Sequence, residues 1–332
     1  MTINTEITPL PASPELHEQD RLNATYDFVF CKHVPEYAPE IANALRGYDI
    51  IAIECSGLDS EEERQQWQSA MSRALAPGVS QDEKDAFSHL MDGHPYRRFF
   101  DLLTQGLAAS NATVVFLDVL STETEHASID EYWDTQRGYI DAIQMGQLSD
   151  VVSRLLSLHI YAAKKSFDVR EAKMTQQLAA LGHSPENIGV MMGYIHTPVY
   201  NQISEVAESA QTFIGIDTTQ PTRAGEPLLP LYGYVDQAIE LLRHGDEIPQ
   251  ALLSRAVFQK YLICELGFGQ DRSQQFTEEV SDDVVTEVLI NVDSALLKVS
   301  TGEHKMLRAI QTRRRVEDIF LEKWPSIYSY GH

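Results

Sequence analysis

The run YDFVFC at Tyr26–Cys31 leads directly into Lys32, His33 and, two residues on, Pro35. Its apolar residues are nearly continuous instead of alternating, the pattern of a strand buried on both faces. The next two segments decide the fold. PEYAPEIANALRGY, residues 35–48, is just long enough for a crossover helix, with Pro39 near its start and Gly47 as its stop. DIIAIEC, at Asp49–Cys55, is a second continuous run. Strand, short helix and strand in that order is the signal of a parallel sheet.

Three further runs fit as strands: TVVFLDV at Thr113–Val119, IGVMMG at Ile188–Gly193 and, more weakly, TFIGID at Thr212–Asp217. Helical stretches separate them. SEEERQQWQSAMSRAL and DEKDAFSHLMDG are split by the breaker APGVS, and HPYRRFFDLLTQGLAAS leads into the third strand. DVVSRLLSLHIYAAKK and VREAKMTQQLAALG fill the gap before the fourth. After Asp217 the texture changes. TTQPTRAGEPLLPLYG holds three prolines and two glycines and reads as a linker, and only helical patterns come after it. In one of them Val284, Val285, Val288, Leu289, Val292 and Leu296 form a stripe that must pack against something. The expectation is an α/β fold: a mainly parallel central sheet flanked by helices, with an all-helical C-terminal extension. Residues 1–20 read as a flexible lead-in, 21–217 as the α/β domain and 218–332 as the helical extension, a cap or a dimerisation surface.

Composition narrows the function. The 332 residues are 43% hydrophobic and 23% charged, ordinary for a globular chain. No apolar run approaches the length of a membrane span. The net charge of −23, from 49 acidic and 26 basic residues, argues against nucleic-acid binding, which needs a basic face. Arg313, Arg314 and Arg315 read as a solvated helix face. Three cysteines make no disulfide framework, so the chain is expected in the cytoplasm.

Ligands of open parallel sheets bind beyond the carboxyl ends of the strands. There the sequence places His33, Glu54, Asp118 and His196. Two imidazoles and two carboxylates suit a divalent metal or general acid–base work. Glu54 carries the strongest signal, because a charge inside IIAIEC is costly unless paired. Asp118 either joins it or caps the following turn. Arg170 shares a helical face with Met174, Leu178 and Leu181, which turns its guanidinium toward the core, where Glu54 or Asp118 would match its fork; the alternative is an Arg that snorkels to solvent or pairs with Glu171.

The stretches FCKHV, IIAIECSG, VREAKMTQQLAAL and VMMGYIHTPVYNQI, in this order, resemble the TraB/PrgY/Tiki group of the erythromycin-esterase/ChaN-like superfamily over residues 26–217. The resemblance matches His33 and His196 to two motif histidines, Glu54 to a strand-end acid, and Arg170-Glu171 to an Arg-Asp pair. It implies a metal-dependent hydrolase of peptide or ester bonds. His33, Glu54, His196 and Asp118 would hold Mn, Co, Zn or Fe, with Glu54, Arg170 and Glu171 catalytic; erythromycin esterases use the same site as a metal-free base. The substrate would be a small molecule or peptide, with neither nucleic acid nor membrane as partner, and the C-terminal helices could join two copies. Two departures stand out. Phe30 replaces the first motif glycine, which Gly193 keeps in the second, and the membrane spans of TraB and PrgY relatives are missing.

Two other readings remain open on sequence: Cys31 or Cys55 as a nucleophile, and a degenerate member that only binds a ligand or partner. His89 and His94 read as loop or surface residues, and His159 as packing.

Overall fold

The structure is a computed structural model that describes residues 21–31, 33, 35–55, 60–94, 96–118, 122–214, 233–299 and 304–327. The proposed lead-in 1–20, the Pro-rich linker and the boundary at 217 lie outside the described residues. The described residues group into two compact units, one from Met1–His126 with Phe167–Leu228 and one from Ala127–Ser166 with Leu229–His332.

The first unit holds a five-stranded, all-parallel sheet. Its strands are β1 (Thr25–Phe30), β2 (Ile50–Glu54), β3 (Thr113–Leu117), β4 (Asn187–Met192) and β5 (Ser209–Ile214). They lie in the order β3-β2-β4-β1-β5, so β4 sits between the first two strands of the chain. On β1 the residues alternate between two cores. Tyr26, Phe28 and Phe30 stack in a row on one face, where Tyr200 of α7 (Thr197–Val206) meets Phe28 edge-on. Phe30 is therefore a buried core residue of that row. Val29 and Cys31 face the other way, into a core built with α1 (Ala38–Ala44), α2 (Glu61–Leu75), α3 (Gln81–Leu90) and α4 (Arg97–Gly106).

Local chemistry sets the boundaries of these helices. Gly47 ends the α1 turn at φ +99°, a conformation cheap only for glycine. The APGVS break gives Ser80, which caps α3 in a reciprocal box with Glu83.

The second unit is helical and is assembled from two stretches of chain. The sequence reading confined it to 218–332; Ala127–Ser166 groups with it as well. That stretch carries most of α5 (Glu123–Gln144) and the first half of α6 (Ser149–Leu181). α6 is one helix of 33 residues where the sequence showed two patterned segments. α8 (Tyr234–Arg243), α9 (Gln250–Cys264), α11 (Asp282–Leu296) and α12 (Lys305–Lys323) match the C-terminal patterns. α10 (Gln270–Glu279) was not anticipated, because QDRSQQFTEE has a single large apolar residue, Phe276. In place of an apolar stripe it buries Ser273, Gln274 and Thr277. Side chains tie the two stretches together: Ser149 at the start of α6 bonds Asp293 of α11 through both its amide (2.7 Å) and its hydroxyl (2.6 Å).

Candidate active site

Four strand ends and one helix meet at the carboxyl edge of the sheet. Glu54, the last residue of β2, is 5% exposed, yet both of its oxygens have partners. Oε1 accepts from Arg170 Nη2 at 2.8 Å and lies 3.1 Å from His196 Nε2; Oε2 accepts the backbone N–H of Gly193 at 2.6 Å. Here the glycine is favoured by a close approach, not by backbone angle. A Cβ on Gly193 would stand 3.3 Å from Glu54 Oε2.

Arg170 and Glu171 come from the second half of α6, inside the first unit. Arg170 Nε donates to Asp118 Oδ2 at 2.7 Å, and its Nη2 also pairs with that oxygen, so one guanidinium bridges two carboxylates. Glu171 Oε1 is 2.9 Å from His196 Nδ1. Phe167, one turn earlier, presents its ring to His196 at 5.6 Å, and the Arg170 guanidinium lies 5.8 Å from the same ring. The result is a continuous buried chain, Asp118–Arg170–Glu54–His196–Glu171.

Its charge state follows from geometry. Burial works against an ionised His196, but Glu54 and the bond to Glu171 outweigh it and raise the imidazole to about 9. His196 is thus a cation at neutral pH. Glu54 responds in the opposite sense: burial would raise it, but His196 and Arg170 hold it well below the usual carboxylate range. For Asp118 burial wins, and its carboxyl is raised despite Arg170. Asp118 also has φ +69°, a left-handed backbone that Asp tolerates better than most residues. Its N–H is held by Gln177 Oε1 at 3.1 Å, and its Oδ1 is buried without a hydrogen-bond partner among the described residues.

His33 stands beside this chain, unbonded to it. Its ring stacks on Phe99 at 5.3 Å and meets Tyr96 edge-on at 5.4 Å, and Nε2 is buried with no partner among the described residues. Burial lowers its pKa below the ordinary 6.5; Glu54 pulls upward, and His196, Arg170 and His94 push further down. The two histidines leave the sheet differently. The β1–β4 ladder ends at Phe30 and Met192, with the Cys31 N–H still bonded to Met192 O at 3.0 Å. Beyond it His196 closes a 3-10 turn, Tyr194–His196, and turns to α6, while His33 turns to the rings of Tyr96 and Phe99.

Several contributors escaped the sequence reading. His94 does lie in the loop between α3 and α4, but it is partly buried there: it packs on Trp67 at 5.2 Å and accepts the Tyr96 N–H at 3.2 Å. Together His94, Tyr96 and Phe99 form an aromatic wall behind His33, and the density of rings in HPYRRFF was the available signal. His89 is exposed beside Asp92. His159 packs between Tyr132 and Tyr139, where burial drives it down to about 4. Cys31 and Cys55 are buried, and burial pushes both thiols far up, which leaves almost no thiolate to act as a nucleophile.

The metal implied by the resemblance can be tested against this donor set. Both nitrogens of His196 face carboxylates, both oxygens of Glu54 are taken, and the Arg170 guanidinium stands where a cation facing Glu54 and Asp118 would have to be. Among the described residues no three His, Cys, Asp or Glu side chains are grouped to hold a metal ion. The donors are turned on one another and do not fit one. Comparison of the chain with family models, with curated proteins and with solved structures finds no match.

Proposed function

We propose that this chain hydrolyses a carbonyl ester or amide bond of a small molecule or peptide, with His33 as general base. The observation that carries the reading is the asymmetry of the two histidines. One is a doubly anchored cation; the other is a neutral imidazole whose Nε2 has no partner among the described residues. A neutral imidazole can take a proton from an attacking water, and a fixed cation can stabilise the oxyanion that forms. Acid–base roles are assigned where the environment drives paired groups apart in pKa.

In this scheme His33 Nε2 receives the water proton as the oxygen adds to the carbonyl carbon. The negative charge that develops on the carbonyl oxygen is met by the field of His196 and Arg170. Collapse of the tetrahedral species expels the alcohol or amine, and His33 returns its proton to that leaving group. Glu54 and Glu171 hold His196 charged and oriented, and Asp118 fixes Arg170. No step needs a metal. A cytoplasmic location is consistent with three free cysteines among the described residues.

A second reading rests on one observation: Glu54, Arg170 and His196 are already satisfied by each other, as in a pocket kept for binding alone. Turnover separates the two. Hydrolysis of activated acyl esters and of a peptide pool should fall by at least about a hundredfold in His33→Ala, the lower end of what a general base contributes. It should persist in chelator, with no stoichiometric metal in the purified protein. No turnover on either substrate class, or turnover unaffected by His33→Ala, would leave only the binding reading. Activity restored by a metal after chelation would overturn the metal-free scheme.

A further inference from the structure

The chain is acidic almost throughout, but one segment reverses sign. From Ser294 to Val316 there are six Lys and Arg residues, Lys298, Lys305, Arg308, Arg313, Arg314 and Arg315, against a single acid, Glu303. The segment joins the end of α11 to most of α12, which pack together as a hairpin in the helical unit.

α12 already spends one face on packing, with Thr312, Val316 and Phe320 buried. It nevertheless turns a second apolar set outward: Met306 is 70% exposed, Leu307 47% and Ile310 45%, and Leu297 at the end of α11 is 73% exposed. By helical spacing Met306, Ile310, Arg313 and Arg314 fall on one outward stripe, at i, i+4, i+7 and i+8. All three arginines of the triplet are exposed. Exposed apolar side chains interleaved with arginine and lysine are the composition of a helix that lies in a bilayer interface, where the apolar groups enter the acyl boundary and the cations meet lipid phosphates.

We propose that the exposed face formed by Leu297 at the end of α11 and by Met306, Leu307, Ile310, Arg313 and Arg314 of α12 is a peripheral docking surface for an anionic lipid bilayer. The sequence spoke against a membrane partner because no run is long enough to span one, and no helix among the described residues is long and apolar enough to cross. A surface-lying helix needs no such run. Charge complementarity selects the lipid: the patch is cationic on a chain of net charge −23, so a neutral surface gains nothing from it. The acidic remainder is screened beyond about 8 Å at physiological salt and need not oppose contact at this one face. A folded protein partner would need a complementary shape, whereas a bilayer accepts dispersed apolar side chains on a convex surface.

The test is co-sedimentation of the full-length chain with vesicles of phosphatidylcholine alone and of phosphatidylcholine with phosphatidylserine, at low and high salt. Binding is expected only to the anionic vesicles, weaker at high salt. It should drop about fivefold for each arginine lost in Arg313→Gln and Arg314→Gln. Leu307→Asp with Ile310→Asp should abolish it, and because all four positions are exposed the variants keep their circular dichroism. No binding to anionic vesicles, or binding indifferent to these substitutions, overturns the proposal. So does light scattering that shows a dimer which Leu307→Asp separates, since the same face would then be covered by a second copy.

Discussion

Glu265, in the helical unit, offers the sharpest test of the electrostatics. It follows the last residue of α9, is 2% exposed, and its Oε1 is buried without a partner among the described residues. Burial raises its carboxyl from 4.5 to about 7; Arg313 on α12 pulls it down and Glu317 pushes it up. Because the folded value lies above the unfolded one, the folded state binds more protons between them. The associated stability is complete below 4.5 and is lost as pH rises through about 7. At about 1.4 kcal/mol per unit, that loss is on the order of 3 kcal/mol. Glu265→Gln keeps the shape and removes the titration. Two units make global melting ambiguous, so the readout is hydrogen exchange of α9 and α12 amides, corrected for intrinsic rates. Wild-type protection should decline between pH 4.5 and about 7 relative to the variant, which should be the more stable of the two above that range. Parallel curves for the two proteins would refute the reasoning.

Other consequences are as direct. The rate profile of the hydrolysis should rise as His33 loses its proton at a pH below the ordinary 6.5, and fall near 9 as His196 loses its own; kinetics across that range would check both limbs, and a single rise with no alkaline fall would remove His196 from the scheme. Arg170→Met strands Glu54 and Asp118 together in the core and should cost about 3–5 kcal/mol in denaturant unfolding of the sheet unit; a change under 1 kcal/mol, roughly the value of an exposed pair, would mean the bridge contributes little. Gly193→Ala puts a methyl 3.3 Å from Glu54 Oε2 and breaks the close approach to the strand-end amide; kcat should drop with fold and melting temperature nearly unchanged, and full activity would show that Glu54 can relocate.

The sheet was legible because period and continuity of apolar residues are local properties. YDFVFC and DIIAIEC needed nothing beyond themselves to read as buried strands. Glu54 and Arg170 were legible for the same reason: a charge within an apolar run, or on the core face of a helix, advertises a partner. The partners themselves were not. That Arg170 bridges Glu54 and Asp118, and that His196 lies between two carboxylates, depends on strand order, which no local pattern carries. His33 and His196 look like twins in sequence, and only their tertiary neighbours, aromatic rings for one and two carboxylates for the other, separate them. α10 was missed because one aromatic, Phe276, packs it on Phe258, Phe268 and Trp324, and the rest of its buried face is Ser273, Gln274 and Thr277, polar groups that a stripe of hydrophobicity cannot reveal. That Ala127–Ser166 groups with the C-terminal helices is likewise a tertiary fact that no local pattern carries.

The position of β4 also bears on how the molecule is made. β1 and β2 have no ladder between them; each pairs with β4, Thr25 with Asn187 and Ile50 with Ile188. During synthesis both early strands leave the ribosome with their inner edges unpaired, and stay so until the chain beyond residue 187 is available. Such exposed edges are templates for pairing with other chains, and contacts of this sequence separation form slowly. A nascent chain stopped short of β4 would also lack Gly193 and His196, hence every partner of Glu54 except Arg170. Joining of β1 to β2 through β4 and completion of the candidate site are therefore one event, and β5 adds afterwards to the outer edge of β1.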